Sequence, residues 1–131
     1  MPSLDRPFRP VDLAATLLES FDLDDLVARL VQEPQYQDEG LAALTLVHDE
    51  QLSIVLAALR AGGELREHRA PASAMVTLIH GRATLLCDGG AKRTGMAPGT
   101  LVAFASGLDH SLVAEQDSAC LLVIGGRAGG Q

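Results

Sequence analysis

Flat side chains are scarce in this chain. Aromatic residues make up 3% of it, with no tryptophan, one tyrosine and three phenylalanines. The core must therefore be aliphatic, and sites that stack sugars or nucleobases on aromatic faces are disfavoured. Positive charge is scarce as well. Ten Lys and Arg stand against seventeen Asp and Glu, for a formal net charge of −7. No basic patch is available to neutralise phosphates, so nucleic acid is not an expected partner. The two cysteines, Cys87 and Cys120, fall inside strand-like runs. They read as reduced, buried, small apolar residues, with a disulfide open only if their strands are neighbours. No apolar run approaches the roughly 18 residues of a membrane span, and no signal-peptide segment opens the chain. A soluble cytoplasmic protein that does not engage membranes is expected.

What is present fits one domain with a real core: 131 residues, 47% of them apolar. The acidity is lopsided. Residues 1–40 carry nine acids against three arginines, whereas residues 41–131 carry eight acids against seven basic residues. Residues 1–39 read as an N-terminal helical arm. After an irregular lead with Pro2, Pro7 and Pro10, Asp12 can cap a helix whose stripe is Leu13, Leu17, Leu18 and Phe21. Asp22 offers a second cap, ahead of the stripe Leu23, Leu26, Val27, Leu30 and Val31, which Pro34 bounds.

From Gly40 the texture changes to short β-like runs between turn residues. The expected strands are 41–48, 52–60, 64–67, 75–80, 83–87, 101–104, 111–114 and 119–124. Asp49-Glu50, Gly62-Gly63, Gly81, Asp88-Gly89-Gly90 and Pro98-Gly99 mark the turns between them. Many short strands in so few residues point to a sandwich or small barrel. The tail, 126–131, reads as flexible.

Two segments are framed by glycines. Gly62 is followed after five residues by His68, then by Ala70, Ala74 and Gly81. Gly99 is followed after five residues by Ala105, then by Gly107, His110 and Ala114. This pattern resembles the two signature motifs of the cupin superfamily, G-x5-H-x-H-x3-E-x6-G and G-x5-P-x-G-x2-H-x3-N. The resemblance covers residues 40–125 and keeps every spacing. It implies an all-β fold, a cupin-type double-stranded β-helix or jelly-roll barrel, preceded here by the short helical arm. It also implies a homodimer. Val76, Leu78, Leu85, Leu101, Ala103, Leu121 and Val123, or their opposite-parity neighbours, would line the interior, since a slip of one residue inverts the facing.

In that family three histidines and a carboxylate hold a divalent transition metal. Here Ala70 and Ala74 stand at two of the four ligand positions, and Ala105 and Ala114 replace the proline and asparagine. The resemblance therefore leaves His68 and His110 as candidate ligands for Fe, Mn, Ni or Zn. The same two histidines are candidate polar handles for a small organic molecule, with Arg66, beside Arg69, able to hold a carboxylate or phosphate at the rim. His48 and His80 end strands beside turns and read as surface histidines. Three functions follow: a metal-independent small-molecule binding module, a dioxygenase or isomerase with a reduced ligand set, and a structural or regulatory dimerisation domain. The first is preferred, because binding needs only a shaped cavity and a few polar groups.

Overall fold

The computed structural model describes residues 4–69 and 72–125, with only the backbone of Glu67, His68 and Arg69. Ala70 and the tail 126–131 lie outside the described residues.

Asp12 accepts a hydrogen bond from the Ala14 amide at 3.0 Å and opens α1, Leu13–Thr16. The helix stops after one turn, where Leu17 takes a φ of 74°. This corrects the longer helix expected from the leucine spacing. Leu13 and Phe21 find apolar neighbours, but Leu17 and Leu18 are 80% and 81% exposed. A short helix with no surface on which to bury its stripe is not extended by spacing alone. Asp22 caps α2, Leu23–Leu30, by accepting from the Asp25 amide at 3.1 Å. Asp24 and Asp25 lie in its first turn and Arg29 in its last, the arrangement that the helix dipole favours. Leu30 is fully buried, with Leu23, Leu26, Val27 and Val31 packed around the same cluster. Pro34 lies beyond the end of α2 and also opens a helix that was not expected, α3, Pro34–Glu39. Proline at the first helical position and Gly40 closing it at φ 76° are the signals that could have revealed it.

The strands are β1 (Leu41–His48), β2 (Leu52–Leu59), β3 (Glu64–Arg69), β4 (Ala74–His80), β5 (Ala83–Cys87), β6 (Lys92–Met96), β7 (Leu101–Phe104), β8 (Asp109–Ala114) and β9 (Ser118–Gly125). β6 was not expected, because Lys-Arg-Thr-Gly shows no apolar alternation. It forms by pairing with β5 from Ala83↔Met96 to Cys87↔Lys92. One sheet has the order β1-β2-β9-β4-β7 and the other β3-β8-β5-β6. From β3 onward the chain crosses repeatedly between them, as in a jelly roll. Among the described residues no strand of one sheet pairs with the other, so the barrel is open along its rim.

The interior cluster joins both sheets through Leu59, Val76, Leu78, Leu85, Met96, Phe104, Leu112 and Cys120. Val76, Leu78 and Leu85 face inward as expected. On β7 and β9 the opposite parity holds. Val102, Phe104, Cys120, Leu122 and Ile124 join the interior, whereas Leu101 is 52% exposed and Leu121 packs with the second cluster. That second cluster lies on the outer face of β1 and β2, beneath α2 and α3. Arg6 ties the lead segment down. It donates two 2.9 Å hydrogen bonds to the Glu33 carboxylate and a third, also 2.9 Å, to the Ala43 carbonyl.

The framing glycines Gly62, Gly81, Gly99 and Gly107 all have φ between 86° and 91°. At Gly81 there is a second constraint, since an added Cβ would collide with Ser118 Oγ and the Asp117 carbonyl. Nothing lies near a Cβ built on Gly107. Gly81→Ala should therefore cost about 2–4 kcal/mol in denaturant titration, and Gly107→Ala about 1–2 kcal/mol of backbone strain. Equal losses would show that positive φ alone demands glycine at position 81.

Candidate functional site

The site is built on the β3-β8-β5 ladder. Leu65 on β3 is paired with Leu112 on β8, and His68 with His110, with a register shift between the two pairs. Three steps on β3 thus match two on β8, which is a β-bulge. The register on β3 shifts by one residue across the bulge. On its other side β8 pairs with β5, which sets Cys87 opposite His110. His68, His110 and Cys87 occupy one cross-strand row.

His110 is 6% exposed and lies on the same strand face as Leu112 and Ala114, both interior residues. Its Nδ1 lies 3.3 Å from the Leu108 carbonyl oxygen. A carbonyl only accepts, so Nδ1 carries the hydrogen and in the neutral ring Nε2 carries the lone pair. The imidazole packs on Phe104, with ring centroids 4.4 Å apart and planes tilted by 41°. With Leu65, Val76, Leu85, Leu112 and Leu122, His110 lines a cavity of about 20 Å³. That is room for one water molecule, within a wholly apolar remainder of the lining.

Cys87 packs against the interior cluster. Burial pushes its thiol pKa up, Lys92 draws it back and Asp88 adds to the rise. It is therefore a protonated thiol at neutral pH. Its place opposite His110 depends on long-range register, and no local signal in the sequence reveals it. Phe104, the platform under the imidazole, was missed for the same reason. Cys120 is fully buried on β9, and burial pushes its pKa up to about 12. The two thiols are free and lie on different sheets, which answers the question of a disulfide.

Arg66 lies on the bulged stretch of β3 and is exposed, as is Glu64. The side chains of His68 and Arg69 are outside the described residues. His80 and His48 lie at the surface. His80 Nε2 is 2.9 Å from Asp24 Oδ1, and His48 Nδ1 is 3.2 Å from Ser53 Oγ. Ala74 is 8% exposed and paired with Phe104 on one side and Ile124 on the other.

No protein-family model and no curated protein matches the chain. Solved structures do. A conserved protein of unknown function from Streptococcus pyogenes is 24% identical, with 96% of each chain covered and a TM-score of 0.65. An RmlC-like cupin from Desulfovibrio desulfuricans is 19% identical over 82% of this chain and 96% of its own, with a TM-score of 0.68. The fold is that of a cupin. A variant of salicylate 1,2-dioxygenase from Pseudoaminobacter salicylatoxidans, in complex with gentisate, is 21% identical with a TM-score of 0.67. There the match covers 80% of this chain and 32% of the dioxygenase. At these identities the likeness is one of fold.

The cupin fold implies a metal, and the donor set here does not fit one. Ala70 and Ala74 have no donor atoms. Ala74 is paired with Phe104 on one side and Ile124 on the other. Among the described residues no group of three or more His, Cys, Asp or Glu could hold a metal ion. Two imidazoles fall short of the three or four ligands that divalent transition metals take from proteins.

Two outcomes are expected. After incubation with Fe(II), Mn(II), Ni(II) or Zn(II) and gel filtration, elemental analysis should return well under one equivalent per chain. A retained equivalent that is lost in His110→Ala would show that groups outside the motifs complete a shell. Aromatic disulfide reagents at pH 8 should titrate Cys87 in the folded protein and Cys120 only after unfolding.

Proposed function

We propose that this cupin is a metal-independent binding module for a small, mostly apolar organic molecule, gripped at the barrel mouth above His110. The observation that carries the reading is the state of that histidine. It is buried in aliphatic surroundings, and Leu108 fixes its tautomer so that Nε2 offers a lone pair. Such a handle selects a ligand that presents an O–H or N–H donor: an alcohol, a phenol or a neutral carboxylic acid. The one-water cavity beneath His110 closes the floor, so the ligand lies on the β3 side of the ring, near the position of His68. Arg66, exposed at the bulge, serves a ligand that carries a second, anionic group. The gentisate complex of a dioxygenase with this fold supports a small organic acid as occupant of such a barrel. The reading as a metal-dependent dioxygenase or isomerase has weaker support, because the donor set fails.

The same proposal takes residues 1–39 as an arm folded onto the barrel at 40–125. Two free thiols agree with a cytoplasmic setting, and no helix among the described residues is long and apolar enough to cross a membrane. Leu101, 52% exposed on the edge strand β7, marks the face on which a second copy would pair.

The test is a thermal-shift screen of small alcohols, phenols and carboxylic acids, followed by calorimetry on the hits. His110→Ala should weaken a true ligand about tenfold, the size of one buried hydrogen bond. His48→Ala, at the surface, should leave its affinity unchanged. A ligand insensitive to His110→Ala, or no ligand from any of the three classes, would remove the proposal and leave the dimerisation reading.

A further inference from the structure

A second cleft lies away from the barrel mouth, at the seam between arm and barrel. Its volume is about 420 Å³, within the usual size of small-molecule sites. Val27, Val31, Gln32 and Tyr36 form the arm wall, and His80, Asp117 and Ala119 belong to the barrel wall. Tyr36 is 7% exposed, and among the described residues its hydroxyl has no hydrogen-bond partner. Its ring is packed, while the hydroxyl stays open to solvent at the cleft. Burial raises its pKa most, Asp117 raises it further and Arg60 lowers it, so both charged groups are within electrostatic reach.

The polar groups of this cleft are mainly acceptors. Asp117 uses Oδ1 to accept from the Ala61 amide at 2.9 Å, which leaves its second oxygen. His80 Nε2 meets the Asp24 carboxylate at 2.9 Å. A carboxylate only accepts, so in the neutral ring the hydrogen is on Nε2 and Nδ1 is an acceptor. The Gln32 amide adds one more acceptor and two donors. The nearby cation, Arg60, is committed to the Gln37 carbonyl at 2.8 Å and the Tyr36 carbonyl at 3.4 Å. Asp117, before β9, is therefore the carboxylate of the cleft, and Asp24 on α2 is paired with the lining residue His80.

We propose that this cleft binds a small organic ammonium ion, with its charged head on Asp117 and His80 and its alkyl part on Val27, Val31 and Ala119. An ammonium brings three donors and one positive charge to a site rich in acceptors and negative charge. An organic anion would meet the Asp117 carboxylate with too few donors to offset it. Because the walls belong to different layers, the bound ion bridges the arm and the barrel.

The probe is n-butylammonium, with n-butanol and butyrate as the neutral and anionic controls, followed by amide chemical shifts at low salt. Saturable shifts at Gln32, Tyr36 and Asp117–Ala119 are expected for butylammonium, with weaker or no response to the controls. Asp117→Asn keeps the oxygen that accepts from Ala61 and removes the charge; it should weaken binding about tenfold. Tyr36→Phe removes only the hydroxyl and should weaken binding a few-fold. Non-saturable or dispersed shifts, equal response to n-butanol, or undiminished affinity in Asp117→Asn would each overturn the proposal. Binding at the barrel mouth would shift residues around His110 instead, so the two sites are read independently.

Discussion

The ladder between β3 and β8, with its one extra residue, determines what this barrel can present at its mouth. If the register of Leu65↔Leu112 continued without a bulge, residue 67 would meet His110 and His68 would meet Asp109. The shift between Leu65 and His68 instead sets the two histidines opposite each other. Arg66, one step beyond the interior residue Leu65, is exposed as alternation requires. On the far side the regular β5–β8 register extends the row to Cys87. The row of His68, His110 and Cys87 is thus a property of strand pairing.

The interior is apolar where the motif would place a carboxylate. Ala74 opens β4 between Phe104 and Ile124, and Ala114 is buried at the end of β8, where its backbone pairs with Gly62 and Gly63. A lone carboxylate at position 74 would have to be desolvated without a metal or a donor to compensate, which is costly. Once the second histidine and the acid are both absent, alanine is the consistent choice. The His110 imidazole is oriented through Nδ1 by the Leu108 carbonyl and packed on Phe104.

How far these features are legible in the sequence follows from their range. The glycine framing is local, since Gly62, Gly81, Gly99 and Gly107 each adopt a positive φ that other residues resist. It therefore carries the fold even with half the ligands gone. The facing of β7 and β9 is not local. Both run through Leu, Val, Ala and Cys with little polar alternation, so either parity reads as apolar, and only packing between the sheets selects Val102, Phe104 and Leu122 for the interior. β6 is invisible for the opposite reason: only its last residue, Met96, is apolar, and β5 supplies its order. α1 shows spacing overruled by burial, and α3 shows capping chemistry overlooked because Pro34 was read only as a stop.

The arm is more than an appendage to this barrel. Glu33 is buried, and its carboxylate would be stranded without Arg6, whose guanidinium also reaches the Ala43 carbonyl on β1. Breaking such a pair from one side costs more than the pair contributes, because a desolvated charge is left behind. Arg60 makes the reciprocal connection, from the end of β2 to the last turn of α3. Two arginines, one from each layer, thus hold the arm to the sheet through carbonyls and one buried acid. That clamping keeps α2 and α3 in place against β1 and β2. It is the condition for a seam deep enough to hold Tyr36, His80 and Asp117 around a common space.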